Sequence, residues 1–328
     1  MLNKGMQYYL STILLKIKAI VFSLYQNDNE RKYFDRLWSR YFIEKKIDLN
    51  ASFDWQFYSL SIYSPPDKFK EVYHFDDKMI PMCRKDFKQV FYNPLAIAQY
   101  GLINFNNYLK TNENELLITA SNMIDFLLQK SSKKKNALLF PYNIDYQKFS
   151  LKAPWYSAIS QAHVLSLMIR LYKKEPKDHL KEEINLVYNS LILPLCEGGF
   201  LSQTPEGYLW IEEYPSEHNS YVLNGFIFCI IALYEFQLAF PEKDINNIIF
   251  QLTESLIKSL HHYKRGQYWR YSRLNNTLSN IDYQGLHVNL FKHLWALTNN
   301  EAYKILYEID NKHMNWKAYE RFYRLNPK

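Results

Sequence analysis

A repeated pair of amphipathic segments, beginning at residue 94, restricts the fold of this chain more than any other sequence feature. A polar side chain recurs near the start of the first segment of each pair, every 62 or 63 residues, at Gln99, Gln161, Asn224 and His287. A fixed period in helix–helix units is typical of stacked helical hairpins. The alternative is a coincidence of ordinary polar residues at helix starts. The candidate helices cover 94–109, 114–129, 155–172, 177–192, 219–238, 243–260, 285–297 and 300–309.

The repeat predicts a mainly α protein, an (α/α) toroid of about four helical hairpins. In such a toroid the first helix of each pair lines the centre and the second helix lies outside, so the recurring polar side chains would converge on one cleft. The segments between the pairs are rich in Gly, Pro and Tyr. They predict β-hairpins on one rim, where loops held by a rigid scaffold commonly carry function.

The chain before residue 94 follows a different pattern. Residues 28–47 are typical of a charged amphipathic helix, whereas residues 50–93 are aromatic and β-branched, which favours short strands and extended loops. We therefore predict two parts. Residues 1–93 form N-terminal helices plus short β-strands packed on the toroid, and residues 94–328 form the toroid that carries catalysis.

Residues 8–25 carry an apolar stripe at helical spacing, interrupted by Lys16 and Lys18. The two lysines argue against a membrane span, and no small-residue cleavage site follows, which argues against a signal peptide. We expect a helix packed on the domain, with an interfacial membrane helix as the alternative. Three widely separated cysteines favour a reducing compartment. The expected location is therefore cytoplasmic, with peripheral membrane contact through this helix as the second possibility.

The composition indicates an anionic partner more than a nucleotide. Aromatic residues make up 17% of the chain, with 28 tyrosines, and the formal charge is +7. Aromatic rings pack well on sugar rings, although they can also simply replace aliphatic residues in the core. A basic surface favours acidic partners, but no recognisable nucleic-acid-binding motif is present. The sequence also contains no phosphate-binding loop, dinucleotide fingerprint, HExxH or GxSxG motif.

Four segments place a tyrosine beside an amide, imidazole or carboxylate at the entrance of a first helix. They are YNPLAIAQYGL from Tyr92, PWYSAISQ ending at Gln161, EEYPSEHNSYVLNGF from Glu212, and DYQGLHVN from Asp282. If the first helices line one cleft, all four segments reach it. They are therefore the candidate functional segments.

Two kinds of charged group could act in that cleft. Glu212 and Glu213 directly precede Tyr214, so an acid and a phenol could face one cavity, although a pair of surface glutamates is the ordinary alternative. Arg270 and Arg273 could bind a substrate carboxylate bidentately. A structural salt bridge explains either arginine equally well.

The four segments resemble the catalytic domain of D-glucuronyl C5-epimerases over roughly residues 85–310. The most distinctive block of that family, Glu-Glu-Tyr-Pro followed by Val-Leu-Asn-Gly-Phe, is present as Glu212–Pro215 and Val222–Phe226. The other blocks follow in the family's order as Tyr92–Leu102, Trp155–Gln161 and Asp282–Asn289.

Two departures accompany the resemblance. Gln284 stands where the family has a histidine. The segment at residues 268–273 (YWRYSR) also differs from the Tyr-Asp-Leu-Arg-His of the animal enzymes. Together with a shorter N-terminal β-rich region than in the animal enzymes, these differences bear on polymer specificity more than on the type of reaction.

The resemblance implies an (α/α) toroid that converts glucuronate to iduronate within a polymer, without cofactor or metal. It implies Glu213 and Tyr283 as the proton-exchanging pair, with Tyr214 assisting. The expected partner is an acidic polysaccharide of heparosan or glycosaminoglycan type, and a homodimer is one assembly to test. A uronate polysaccharide lyase and an inactive glycan-binding protein are the alternatives. The expected substrate-binding residues are Tyr92, Gln99, Tyr100, Trp155, Tyr156, Gln161, Asn219, Asn224, Tyr268, Arg270, Tyr271, Arg273 and His287.

Overall fold

The structure is a computed structural model of the 328-residue chain. It describes residues 66, 70, 73–84, 89–265, 268–274, 278–279 and 281–306. The helices predicted at 8–25 and 28–47, and the end of the last predicted helix, lie outside the described residues.

Seven long helices occupy the described part of the chain from residue 94 onward. They are α1 (Pro94–Thr111), α2 (Asn114–Lys130), α3 (Ala158–Lys174), α4 (Asp178–Ile192), α5 (Leu223–Ala239), α6 (Asn246–Ser259) and α7 (Ile281–Thr298). Residues 301–306 are also helical. Each helix corresponds to one of the segments predicted from the sequence.

The fifth helix begins four residues later than predicted, at Leu223 instead of residue 219. The reason is a competing use of the backbone. Tyr221 adopts a left-handed conformation with φ of 48°, and the amides of Ser220 and Tyr221 donate to the carboxylate of Glu212. These bonds hold residues 219–222 as a loop, and the helix starts only after it.

The helices form two layers. Helices α1, α3, α5 and α7 pack side by side in chain order, while α2, α4 and α6 each pack on the partner that precedes them. The inner helix α5 is buried at every residue from Leu223 to Leu233. The outer helix α6 buries one face through Ile249, Leu252 and Leu256, as an amphipathic surface helix does. The described chain therefore has the predicted (α/α) toroid architecture.

Short antiparallel hairpins connect each outer helix to the next inner helix. They are β4–β5 (Ser132–Lys134 with Ala137–Leu139), β6–β7 (Leu201–Gln203 with Leu209–Ile211) and β8–β9 (Lys264–Arg265 with Tyr268–Trp269). A small sheet of β1 (His74–Phe75), β2 (Pro81–Arg84) and β3 (Val90–Tyr92) precedes α1. The structural repeat is thus helix, helix and hairpin, and the predicted rim hairpins are confirmed.

A buried ion pair joins two of the inner helices. Arg170 of α3 donates to both carboxylate oxygens of Glu235 of α5, at 2.8 and 2.7 Å, and both side chains are fully buried. Arg170 also donates to the carbonyl of Ser166. Burial alone would raise the pKa of Glu235, but the Arg170 charge holds it below its ordinary value.

None of the helices in the described ranges combines the length and the apolar character that crossing a membrane requires.

Candidate active site

A pocket of about 520 Å³ opens at the end of the toroid where the inner helices begin. We call it the aromatic pocket. Its walls come from the small N-terminal sheet, from the segment at residues 142–155 between β5 and α3, and from the segment that follows β7. The lining residues used below are Arg84, Asn93, Tyr142, Tyr146, Lys148, Trp155 and Tyr214.

Backbone pairing folds the segment 142–155, here called the rim loop, into a rigid wall. Tyr142 and Trp155 exchange backbone hydrogen bonds of 2.7 and 3.2 Å. Their rings stack with centroids 4.1 Å apart. The Trp155 indole N–H donates to the carbonyl of Ile144, and the carboxylate of Asp145 accepts from the amide of Ala153. The loop thus presents flat aromatic faces without needing a substrate to order them.

The loop before each later inner helix is tied to the start of the inner helix that precedes it. The Tyr142 hydroxyl donates to Asn93, the N-cap of α1. The amide of Ala158, at the start of α3, donates to the carbonyl of Glu213, and that of Leu223, at the start of α5, donates to the carbonyl of Tyr271. A side-chain hydrogen bond in the first case and a backbone hydrogen bond in the other two thus bring Tyr142, Glu213 and Tyr271 to one end of the toroid.

Glu213 is the buried carboxylate of this site. It is 2% exposed, and its Oε2 atom has no hydrogen-bond partner among the described residues. Burial raises the pKa of Glu213 to about 7, while a hydrogen bond with Tyr214 and the charge of Lys148 oppose that shift. A side chain poised near neutral pH is suited to exchanging protons.

Gly225 in the first turn of α5 makes room for this carboxylate. A Cβ atom added at Gly225 would lie 2.8 Å from the Cβ and Cδ atoms of Glu213 and would overlap its Oε2. Any larger residue would therefore displace the Glu213 side chain. This gives a physical role to the glycine of the Val-Leu-Asn-Gly-Phe block.

The adjacent carboxylate, Glu212, has a different environment. Its Oε2 accepts hydrogen bonds from the amide and hydroxyl of Ser220 and from the amide of Tyr221, at 3.0 to 3.1 Å. Burial raises the pKa of Glu212 to about 7 as well, and these hydrogen bonds oppose the shift. Glu212 therefore shapes the loop that precedes α5, and its bonded oxygen is not available to a ligand.

A chain of tyrosines leads away from Glu213. The hydroxyls of Tyr214 and Tyr271 lie 3.5 Å apart, and the rings of Tyr271 and Tyr283 meet edge to face with centroids 4.9 Å apart. Burial, and then the charge of Glu213, raise the pKa of Tyr214 and Tyr271 well above the ordinary value. Both phenols therefore stay protonated at neutral pH and can donate hydrogen bonds.

Lys148 brings positive charge to these rings. Its ammonium lies 4.8 Å from the ring centroid of Tyr271 and 5.5 Å from that of Phe149, which stacks on Tyr214 at 4.3 Å. Lys148, Arg84, Tyr142 and Tyr146 were not among the predicted site residues. Tyr142, Tyr146 and Lys148 lie in the Tyr-rich segment between two helical pairs, and that composition identifies a loop but not its individual contacts. Arg84 lies on β2 and carried no such signal.

Gln161 lies in the scaffold, in contrast to its predicted role in substrate binding. Its amide oxygen accepts from the backbone of Phe140, and its amide nitrogen donates to the carbonyl of Leu138 and the hydroxyl of Ser190. The side chain is fully buried. It clamps hairpin β4–β5 onto α3 and α4, so the polar residue of this repeat serves packing.

The two arginines are also engaged away from the aromatic pocket. Arg273 forms a two-bond ion pair with Glu206, at 3.0 and 2.8 Å, and lies over the ring of Tyr221. Arg270 donates to the carbonyl of His262 at 3.4 Å. Arg273 therefore forms a structural salt bridge, which was the alternative to its binding a substrate carboxylate. The cations that line the pocket are Lys148 and Arg84 instead.

Three predicted residues of the first block and its neighbourhood face elsewhere. The Tyr92 hydroxyl donates to Asp76, and its ring packs on Phe126. Tyr100 is buried against Phe75. Gln99 is half-buried on α1 and does not line the aromatic pocket. The aromatic-Pro-Ile-Ala-Gln-Tyr-Gly block thus builds the junction between the small sheet and the toroid.

The remaining predicted residues divide between the site and its surroundings. Asn219 donates to the Tyr221 hydroxyl at 3.3 Å, and Tyr156 borders a second pocket described below. Asn224 is buried, and its amide oxygen has no partner in the described chain. Tyr268 pairs through its backbone with Arg265, and its side chain lies outside the described residues.

His287 lies one helical turn after Tyr283 on α7. It is fully buried, and neither ring nitrogen has a hydrogen-bond partner within the described ranges. Burial lowers the pKa of His287 to about 3, so the ring is neutral. Within the same ranges, no group of three or more His, Cys, Asp or Glu side chains is arranged to hold a metal ion.

Comparisons with known proteins identify a family for this chain. The family model for the D-glucuronyl C5-epimerase C-terminus matches residues 132–312, which is more than half of the chain. A D-glucuronyl C5-epimerase of Caenorhabditis elegans is 33% identical over 110 residues, which cover 31% of this chain and 17% of that enzyme. An uncharacterised protein of Methanocaldococcus jannaschii is 26% identical over 174 residues, covering 52% of this chain and 56% of its own length.

Among solved structures, a glycoside hydrolase family 76 mannosidase from Bacteroides thetaiotaomicron aligns with a TM-score of 0.44 and 16% identity. The alignment covers 66% of this chain and 58% of that one. The chain spans little more than half of the archaeal relative and a smaller share of the nematode enzyme. Through residues 132–312, which contain Glu213, Tyr214, Tyr271 and Tyr283, the chain belongs to the D-glucuronyl C5-epimerase family.

Proposed function

We propose that this protein inverts C5 of D-glucuronate residues to L-iduronate within an acidic polysaccharide of the heparosan type. The observation that carries the proposal is Glu213, a buried carboxylate with a pKa of about 7, one oxygen of which has no hydrogen-bond partner among the described residues. It directly precedes Tyr214, which lines the aromatic pocket. Such a pocket suits a sugar ring, since small-molecule sites combine apolar and aromatic walls with a few placed polar groups.

In this proposal Glu213 removes the proton from C5. The C5–H bond breaks, the proton moves to Glu213, and the electron pair is delocalised onto the adjacent carboxyl group of the sugar. Because the pKa of Glu213 is about 7, a large fraction of the side chain is an anionic base at neutral pH. That base is stronger than an ordinary carboxylate.

The negative charge that develops on the sugar carboxyl group needs donors in place before the reaction. Lys148 and Arg84 supply positive charge at the pocket wall. The protonated hydroxyls of Tyr214 and Tyr271 supply hydrogen-bond donors. Groups fixed in advance stabilise a transition state more than mobile water does.

Tyr283 is proposed to return a proton to the opposite face of C5. Its O–H bond breaks as the new C5–H bond forms, leaving Tyr283 deprotonated and Glu213 protonated. Tyr214 contacts both Glu213 and Tyr271, and the ring of Tyr271 contacts that of Tyr283. Tyr214 and Tyr271 offer a route by which the proton held by Glu213 can restore Tyr283 before the next turnover.

Deuterium exchange tests the reaction directly. Heparosan incubated with the protein in heavy water should acquire deuterium at C5 and new iduronate signals by NMR. Glu213→Gln and Tyr283→Phe should each lower the rate at least about 100-fold, the usual contribution of a positioned acid or base. The control, Glu254→Gln, removes a carboxylate that pairs with Lys258 on the outer helix α6 and should retain the rate.

Normal exchange in both site variants would refute the roles of Glu213 and Tyr283. Growth of the ultraviolet absorbance of an unsaturated uronate, without iduronate, would instead identify elimination by a lyase. Binding of the polymer with neither product would identify a glycan-binding protein.

A further inference from the structure

A second pocket, of about 410 Å³, adjoins the aromatic pocket at Trp155, which lines both cavities. We call this cavity the lysine pocket. The lining residues used below are Lys134, Trp155, Tyr156, Gly198 and Glu217.

Lys134 is held in place at this pocket. Its ammonium lies 5.0 Å from the ring centroid of Tyr156. Its Cδ lies 3.6 Å from the position that a Cβ on Gly198 would take, so the aliphatic stem passes close over that glycine. Gly198 has φ of +88°, a conformation that side chains other than glycine rarely adopt. The aromatic ring and the glycine turn together set the path of the lysine.

The charge of Lys134 is not neutralised by a neighbouring acid within the described ranges. Two nearby lysines do have such partners. Lys135 pairs with Glu197, and Lys152 pairs with Asp145, both at 2.8 Å. No described carboxylate lies within ion-pair distance of Lys134. A positive charge placed over a ring, and left without a counterion, is suited to an anionic ligand.

We propose that the lysine pocket binds a second acidic sugar residue of the same polymer, while the aromatic pocket holds the residue that reacts. Trp155 would contact the chain on both sides. The identity of the ligand rests on the proposed function, but the existence of the site does not. The enzyme would therefore favour fragments long enough to fill both pockets.

Replacing Glu217 should change the affinity for an anionic ligand in the opposite direction to replacing Lys134. It is exposed, lines the lysine pocket and has no described ion-pair partner. Its negative charge opposes an anion there. Removing the charge with Glu217→Gln should therefore strengthen binding, whereas removing the charge of Lys134 should weaken it.

Calorimetric titration with heparosan oligosaccharides of increasing length tests this proposal. The Glu213→Gln protein serves as the host, so turnover cannot change the ligand. Affinity should rise when the fragment becomes long enough to span both pockets. Adding Lys134→Met should weaken the binding of long fragments about tenfold, which corresponds to the loss of one charge-assisted contact. The affinity for short fragments should not change. Glu217→Gln should raise affinity for long fragments by about twofold to threefold, the size of one partly screened charge.

Lys133→Met is the matched control. Lys133 precedes Lys134 on strand β4, and successive side chains of a strand point to opposite faces. It carries the same charge and does not line the pocket. Equal losses from the Lys133 and Lys134 variants would overturn the proposal, as would affinity that does not depend on fragment length. Length-dependent binding in a protein that performs no exchange would instead reject the proposed epimerisation and keep the site.

Discussion

At the scale of single residues, two adjacent glutamates have opposite relations to their surroundings. Glu212 accepts three hydrogen bonds through its Oε2 from the loop before α5. Glu213 keeps one oxygen without a described partner, against Gly225. Burying an ionised carboxylate with so few hydrogen bonds is costly. The protein therefore holds Glu213 at the expense of stability, as a functional group often requires.

This cost predicts a pH-dependent gain in stability for Glu213→Gln. The pKa of Glu213 is raised from 4.5 to about 7 in the folded state. The stabilising contribution of the protonated Glu213 side chain is therefore fully present below about pH 4.5. It is lost as the pH rises through about 7. A shift of this size corresponds to about 3 kcal/mol. We therefore subtract the free energy of unfolding of wild type from that of the variant, both measured by urea unfolding. This difference should be up to about 3 kcal/mol larger at pH 8 than at pH 4.5.

The activity of the wild-type protein should rise over the pH range in which its stability falls. Exchange at C5 needs the ionised carboxylate, so the rate should rise as the pH approaches about 7 and then level off. The Glu254→Gln variant, which lacks a carboxylate on the outer helix α6, is the control for both measurements. If the stability of Glu213→Gln follows the wild-type pH profile, the carboxylate titrates at an ordinary pKa and the proposed base is wrong.

At the scale of helices, the inner layer depends on one buried ion pair. Arg170 and Glu235 link α3 to α5 with both side chains removed from water. Removing one partner of such a pair leaves an uncompensated buried charge, whereas replacing both with apolar residues is often tolerated. The pair therefore sets how these two helices align more than how stable the protein is.

Arg170→Met should lower the free energy of unfolding by about 3 to 5 kcal/mol, because the Glu235 carboxylate is then buried without its cation. The double variant with Glu235→Leu should recover most of that loss. Urea denaturation of the two single variants and the double variant measures the coupling. A double variant that loses the sum of the two single effects would show no coupling between Arg170 and Glu235, and would contradict this account of the ion pair.

At the scale of the whole molecule, the positive charge and the two pockets act together. The formal charge of the chain is +7, and Arg84, Lys134 and Lys148 line the two cavities. Charge of one sign around a cleft raises the local concentration of a ligand of the opposite sign. An acidic polymer is therefore expected to bind partly through this field, in addition to its contacts with the aromatic rings.

Binding of heparosan should weaken as salt is added. The Debye length falls from about 10 Å at 0.1 M to about 3 Å at 1 M ionic strength, which screens the attraction between the polymer and the exposed lysines. We expect affinity to fall at least about tenfold across this range, measured by calorimetry. A neutral glucan of similar length is the control and should show no such fall. Salt-independent heparosan binding would mean that the cations do not contribute.

The sequence by itself determined the helical repeat. The positions of α1 to α7 follow from apolar periodicity and from helix-start residues, which are local properties of the chain, so the predicted segments match the helices within a few residues. The boundary of α5 was missed because Glu212 binds two amides that a continuing helix would have used. Motifs also identified Glu213 and Tyr214, since they stand next to each other in the sequence.

Only the tertiary structure decided which polar side chains reach the pocket. Gln161 bonds to groups 21 to 29 residues away in the chain, and Arg273 pairs with a glutamate 67 residues away. Lys148 meets Tyr271 across two repeats. Residue type and spacing show what a side chain could bind. A side chain binds the group that lies within about 3 Å of it. The packing of the whole fold decides which group that is.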